Sequence, residues 1–560
     1  MSQIDWIVLV STLTLIVLYG VYRSRGTQNV ADYLVAGKSL PWYHVCLSVM
    51  ATQASAITFL SGPGQGFSNG MGFVQFYLGL PLAMVVLSIT FVPIFHKLKV
   101  YTAYEFLEKR FDIRVRILTV ILFLFSRGLA TGVSIYAPSI ILATILGLDV
   151  TYTNVFMGLV VLIYAVAGGT KAISHTHVQQ MLVVTVSMVI AGFMIVHLLP
   201  TNVGLVDALK VAGKAGRMNT IDFEFDPNSR YNIWSGLIGG FFLQLSYFGT
   251  DQSQVGRYLT GNSIGESRLG LLMNGILKIP MQFLIVMLGV LLFVFYSYNS
   301  APLFFNKTEI EKLRATKYQP QLAAIENDYV KIINTKKQTV KNLQAAISQD
   351  NTQQINLYQA QIQAEDKATK GLKKNLTALI KQNNPTADIE DRDYVFLNFV
   401  LDNMPVGLIG LLMAVIFSAS MGSIASAYTS LASTTVIDVY KRIYNPHISD
   451  HQTLVASRWA TIFWGIVCVF FAQFASRFGN LLEGVNIIGS LFYGVILGIF
   501  CVAFYFKSIG GRATFIAAIL TEVIVIVCWQ TEVMAFLWLN VLGCLLVILI
   551  GWLVEVTRPQ

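Results

Sequence analysis

The chain has 560 residues, of which 55% are hydrophobic and only 12% are charged, about half the charged share of an ordinary soluble domain. That balance excludes a water-soluble enzyme. The formal charge of +9, from 39 Lys and Arg against 30 Asp and Glu, would suit nucleic acid, but where the charges fall matters more than their sum. The five cysteines (Cys46, Cys468, Cys501, Cys528 and Cys544) all sit in apolar runs without CxxC or Cys/His spacing. They read as small buried hydrophobes, not as a disulfide framework or a zinc site.

A hydrocarbon core about 30 Å thick takes roughly 20 apolar residues per helical span. In chain order about thirteen such segments are predicted, near 4–22, 41–62, 72–95, 116–147, 152–168, 178–199, 231–250, 270–297, 400–436, 455–475, 484–506, 511–530 and 534–555. No positive charge precedes the first and no small-residue cleavage site follows it, so it reads as a membrane helix and not a signal peptide. Alternate loops hold most of the basic residues: Arg23, Arg25 and Lys38; Lys97, Lys99, Lys109, Arg110, Arg114 and Arg116; Lys171; Arg257 and Arg268; Lys441, Arg442 and Arg458; Lys507 and Arg512. The opposite loops have few besides Lys210, Lys214, Arg217 and Arg230 in the 200–230 loop, and Arg477. By the positive-inside rule the N-terminus lies outside and the C-terminus, with Arg558, inside. The positive charge is then a topology signal, and no nucleic-acid partner is expected.

One stretch breaks the pattern and divides the chain into 1–302, 303–393 and 394–560. Residues 303–393 are polar, with apolar residues at three- and four-residue steps: Leu322, Ile325, Tyr329, Ile332, Val340, Leu343 and Ile347. After Asp350–Asn351 the pattern resumes at Ile355, Tyr358 and Ile362, and later at Leu372, Leu376 and Leu379. That spacing predicts two amphipathic helices folded back as an extracytoplasmic hairpin. It serves either as a solvated decoration or as a docking site for a protein partner. No phosphate-cradling GxxxxGK[ST] motif occurs, so ATP hydrolysis has no home in the chain.

Six further stretches stand in order along the chain: ADYLVAGKSLPW (31–42), YTAYEFLEKRF (101–111), IYAPSIILATILG (135–147), GGTKAISHTHVQQ (168–180), FGTDQSQVGRYL (248–259) and SASMGSIASAYTSLASTTVIDVYKR (418–442). Together they resemble the sodium:solute symporter family, which includes sodium–glucose, sialic acid, proline and iodide transporters. The resemblance covers nearly everything outside 303–393. It implies an all-α polytopic membrane protein with a five-plus-five inverted-repeat core and broken helices, and no enzyme. The residues agree: Ala51 to Thr58 are small or hydroxylic inside an apolar span, and Ser61-Gly62-Pro63-Gly64 follows. Irregular backbone at membrane depth is tolerated where it lines a cavity, although close helix packing would also use small residues.

The resemblance implies a sodium site from the carbonyls of Ala51, Ala54 and Ala419 and hydroxyls at 422 and 423. The family's usual Ser-Ser pair reads Gly422-Ser423 in this chain, so one oxygen is missing, with Ser420 and Ser426 near in sequence. Its WTD reads His175-Thr176-His177, and His177 with Ala425-Ser426 stands where sialic-acid-type relatives build a second sodium site. The second site is expected to be absent, leaving one coupling ion or a proton acting through His177. Galactose-site positions fall on Thr58, Tyr77, Gln244, Lys278 and Leu482, of which only Lys278 keeps its type; Tyr247 matches the aromatic inner gate.

Charges inside spans carry more information, because each costs about 2.5 kcal/mol or more in lipid. Arg127 either grips a substrate carboxylate or pairs with an acid such as Asp251 or Glu483, and Lys278 poses the same choice. With both facing the cavity the solute is anionic, a sugar acid or carboxylate, and Gln53, Ser55, Thr58, Gln75, Gln244 and Asn486 select its neutral part. The expected function is a secondary symporter coupling inward sodium movement to uptake of a small polar organic solute across a bacterial plasma membrane, with no cofactor besides the coupling ion. A proton-coupled carrier, or a solute sensor or ion leak on the same scaffold, stays open.

Overall fold

The computed structural model describes residues 1–23, 38–98, 100–385 and 387–557. Stretch 31–37 and the basic residues Arg25, Lys99 and Arg558 therefore lie outside the described residues. All regular structure described is helical, apart from the lone bridge between Leu40 and Gly261. The helices that position the site are α1 (Gln3–Arg23), α2 (Trp42–Gln53), α3 (Ala56–Asn69), α4 (80–98), α5 (Ile113–Leu146) and α6 (Val150–His197). They continue with α7 (Gly240–Thr250), α8 (Gln252–Tyr258), α9 (Ile264–Tyr298), α10 (Gln319–Ser348), α11 (Thr352–Asn383) and α12 (Val395–Asn403). The chain closes with α13 (Leu408–Thr434), α14 (Asp450–Ala472), α15 (Leu481–Tyr505), α16 (Gly511–Gln530) and α17 (Phe536–Val556).

Local chemistry sets several boundaries. Asp112 caps α5 by accepting from the amides of Arg114 (2.8 Å) and Val115 (3.1 Å), and Gly147 ends it at φ 65°. The long α6 turns at Gly169 (φ 56°, ψ −169°), a backbone that glycine alone adopts without strain. Among the described residues ten stretches are long and apolar enough to cross a membrane. Three predicted spans are not among them. Segment 41–62 is broken between α2 and α3, 231–250 is helical from 233 through a π turn at Ser235–Gly239 to Thr250 and ends at the Asp251 break, and 152–168 is a shorter apolar piece, Val150–Val166, joined to the rest of α6 across the Gly169 turn. The pairs α2–α3 and α7–α8 are thus the broken helices.

The protein has two distinguishable ends. α1 starts at the hairpin end, where Asp5 accepts from the amides of Gly407 (2.7 Å) and Gly410 (3.2 Å). α17 finishes at the other, where Glu555 accepts from the Gly510 amide at 2.7 Å. Core helices pack in the middle, α2 and α3 on α9 and α13 on α6 and α5, while α16 and α17 cover α15.

The predicted hairpin is present as α10 and α11, turning at Asp350 (φ 50°) with the Asn351 side chain capping the Gln354 amide at 3.1 Å. A short helix, Lys307–Arg314, precedes it. Its seam uses Ile333 where the sequence suggests Ile332. The hairpin lies against its own body: Lys336 (2.6 Å) and Arg217 (3.3 Å) share Asp366, and the Tyr298 hydroxyl donates to Gln344 at 2.9 Å. Its entry and exit meet, with the Phe305 amide donating to Asp391 and Asn306 Nδ2 to the Asp388 carbonyl at 3.4 Å.

Candidate functional site

The site starts from the break between α2 and α3. The Ala54 amide still bonds to Met50 O at 2.8 Å, but the Ser55 amide turns to Gln53 O at 3.2 Å. The amide that would take the Ala51 carbonyl in a continuing helix is thereby used elsewhere, and Ser55 is extended (φ −92°, ψ 179°). The end of α2 so presents carbonyl oxygens, the negative pole of a helix, at mid-span. Pro63, inside α3, removes a further backbone donor.

A cavity of about 80 Å³ opens beside the break. Its wall includes Thr52, Gln53, Ser55, Thr58, Tyr77, Arg127, Tyr247, Ser423 and Asn486 among the residues that sequence points to. Thr131, Ser134 and Tyr493 line it too, and sequence reasoning missed them. The first two stand four and seven residues after Arg127, one helical face, which is a signal the sequence carried; Tyr493 is reached only through the fold. The hydroxyls of Ser55, Thr58 and Tyr77 bond to no other described residue. Asn486 Nδ2 donates to Leu482 O at 2.8 Å, which leaves its amide oxygen and the second N–H without a bond to a described residue.

Arg127 is paired and lines the cavity at once. Its Nε donates to Asp251 Oδ2 at 3.0 Å, Nη2 pairs with the same oxygen and also donates to the Tyr493 hydroxyl at 3.2 Å, and Nη1 has no bond to a described residue. Asp251 caps α8, accepting from the Ser253 amide at 2.8 Å, so this pair fixes the second broken helix to α5. The guanidinium lies 5.3 Å above the Tyr247 ring, which stands 5.9 Å from that of Tyr493.

Three of the substrate positions inferred from sequence do not face the cavity. Gln75 braces backbone, donating to Gly72 O and Tyr231 O (both 3.2 Å) and accepting from the Asp222 amide at 2.9 Å. Gln244 is buried behind the wall and accepts from Gln53 Nε2 at 3.3 Å. Lys278 is fully buried on α9, and its Nζ has no partner among the described residues.

On the ion side, Ala51, Ala54 and Ala419 are buried and Ser423 reaches the cavity, while Thr52 and Ser426 meet at 3.5 Å across α2 and α13. The two departures from the family pattern lie against one another. A Cβ on Gly422 would lie 2.5 Å from Gln180 Oε1 and 2.8 Å from His177 Nε2, so a serine has no room beside the imidazole. His177 is held by Ser48 Oγ at its Nδ1 (3.0 Å), and His177 Nε2 and Gln180 Oε1 are buried without hydrogen-bond partners among the described residues.

Both ends of the protein beyond the cavity are bridged. At the hairpin end residues 387–394 form a strap. Asp393 there accepts from Asn480 Nδ2 (2.7 Å) and the Leu481 amide (3.2 Å). Asp388 accepts from the hydroxyls of Tyr136 (3.1 Å) and Tyr394 (3.0 Å), and burial pushes its carboxyl up to about 6. Glu483 joins Gln65 (3.2 Å) and Arg230 (2.9 Å). At the opposite end Arg116 pairs with Asp438 and Glu108 (both 2.6 Å).

A polar cavity beside two mid-span helix breaks, between bridged ends, defines a carrier of small solutes. The sequence model of the sodium:solute symporter family matches residues 33–320 and 371–521, and the chain belongs to that family. It is a multi-pass membrane transporter of the sodium-coupled class and not an enzyme. It is 27% identical to the sodium-dependent multivitamin transporter of Oryctolagus cuniculus over 515 residues, 90% of this chain and 67% of that one. It is 25% identical to the sodium/glucose cotransporter of Vibrio parahaemolyticus over 533 residues, 93% and 84% of the two chains. Its fold is similar to a substrate-bound, outward-open Na+-coupled sialic acid symporter, with TM-score 0.76 and 22% identity over 100% of this chain and 99% of that one.

Proposed function

We propose that the protein carries a small carboxylate inward together with one sodium ion. The observation that carries this reading is the donor excess in the cavity: Arg127 Nη1 and the unbonded hydroxyls of Ser55, Thr58 and Tyr77 outnumber the free amide oxygens of Gln53 and Asn486. A carboxylate accepts only, so it matches that set. At roughly 10–15 Å³ of such space per water, the cavity suits a solute of about six non-hydrogen atoms. A lactate-sized acid fits better than a sugar acid.

Sodium takes the carbonyls of Ala51, Ala54 and Ala419 and the hydroxyl of Ser423. Gln180 Oε1 stands in for the hydroxyl that Gly422 lacks. The basic residues Lys171, Lys441, Arg442, Arg458, Lys507 and Arg512 support a cytoplasmic position for the end opposite the hairpin, with the N-terminus outside. A neutral polar solute is the second reading, favoured by the Arg127–Asp251 pairing, which balances that charge.

The test is uptake into proteoliposomes of radiolabelled lactate, pyruvate and glucose under an inward sodium or potassium gradient. Lactate or pyruvate uptake that needs sodium is expected. Sodium-driven glucose uptake with neither acid carried would refute the carboxylate, and acid uptake indifferent to sodium would refute the ion.

A further inference from the structure

Three arginines are buried among the described residues: Arg116, Arg127 and Arg257. The first two are paired with carboxylates. Arg257, on α8 and 2% exposed, is not. Its Nη2 reaches the Thr429 hydroxyl at a long 3.4 Å, while Nε and Nη1 have no partner among the described residues. Among the described residues the ionisable groups facing it are Tyr164 and His177, neither of them a carboxylate.

An uncompensated buried charge destabilises a fold by several kcal/mol. A buried amine such as that of Lys278 has the option of shedding its proton, but a guanidinium has not. Five donors in a rigid fork, mostly empty, ask for an acceptor that bears negative charge. From Ser423 in the cavity wall, Ser426, Thr429 and Ser433 follow along α13 at helical spacing, all buried, so Thr429 places Arg257 beside a row of hydroxyls that runs from the cavity wall toward the end opposite the hairpin.

We infer that Arg257 is the centre of a second, anion-binding site between the cavity and the end opposite the hairpin. It takes a small monoanion, either a halide or the carboxylate of the carried solute on its way out; only the second form rests on the carboxylate proposed as the transported solute.

The test uses the purified full-length protein at constant sodium. Thermal unfolding is followed as sodium methanesulfonate is replaced stepwise by sodium chloride, sodium bromide or sodium lactate. Saturable stabilisation by at least one of these is expected, with half-saturation raised about tenfold or more in Arg257→Gln, the loss of a charge-assisted bond. Arg257→Lys, which keeps the charge but not the fork, should fall between and serves where the glutamine variant does not fold. A halide response lost in Arg257→Gln assigns an inorganic anion; a lactate response alone, lost in the same variant, assigns the solute. Flat titrations with all three salts, or titrations unchanged in both variants, overturn the site. The halide arm does not involve the cavity, so it stays readable if the carried solute proves neutral. Sodium-driven lactate uptake likewise stands if Arg257 binds nothing.

Discussion

Gly422→Ser is the perturbation whose outcome the structure fixes most closely. The new Cβ would meet Gln180 Oε1 at 2.5 Å and the His177 ring at 2.8 and 2.9 Å, where ordinary contact begins at 3.4 Å. Gln180 can swing its amide aside. The imidazole cannot retreat freely, because Ser48 holds it at 3.0 Å. Overpacking of this kind destabilises by about 1–3 kcal/mol. His177→Ala removes the obstructing ring, so the double variant should recover most of that loss, with a coupling of about 1–3 kcal/mol between the two sites. The assay is a double-variant cycle of thermal unfolding at one scan rate, with the sodium concentration for half-maximal uptake read alongside. Losses that simply add would show that Gly422 and His177 are independent, and that the ion site did not trade a serine for a histidine in one exchange.

Other outcomes follow from the same geometry. Arg127→Gln should weaken lactate binding about tenfold or more and, by stranding Asp251, lower thermal stability; adding Asp251→Asn should restore stability but not uptake, measured by unfolding and transport on the same preparations. Gln180→Leu should raise the sodium concentration for half-maximal uptake about tenfold, roughly 1.4 kcal/mol for one lost oxygen, while leaving lactate binding at saturating sodium unchanged. Asp388 titrates near 6 in the folded protein against 3.8 free, so the folded state holds the proton more tightly. Its burial penalty is absent below about 4, grows as pH rises to 6 and is constant above; unfolding temperatures across that window should fall more steeply for the unaltered protein than for Asp388→Asn.

Much of this is legible in the chain itself, because it depends on local pattern. Hydropathy marks spans, helical spacing marks the hairpin, and small residues before Ser61-Gly62-Pro63-Gly64 mark the break. What periodicity cannot choose is a partner. Arg127 and Asp251 stand 124 positions apart, and no local pattern decides whether the guanidinium meets an acid or a substrate. Gln75 and Gln244 are polar residues in the expected places, yet one braces backbone and the other stands behind the wall, a matter of which side of a helix faces inward. In sequence the Gly422 and His177 departures stand 245 positions apart; only the fold brings them into contact across α13 and α6.

The hairpin leaves the body at Phe305 and Asn306 and rejoins it at Asp388 and Asp391, a gap spanned by single hydrogen bonds. The family match lapses between 320 and 371, inside that same excursion. Such a doorway makes the insertion modular: lengthening it, shortening it or grafting a reporter at the Asp350–Asn351 turn leaves the two points of attachment where they are. Because the strap begins at the doorway, a fluorophore placed on that turn would report whether the hairpin moves when the strap does, from a position far along the chain from the cavity-lining residues.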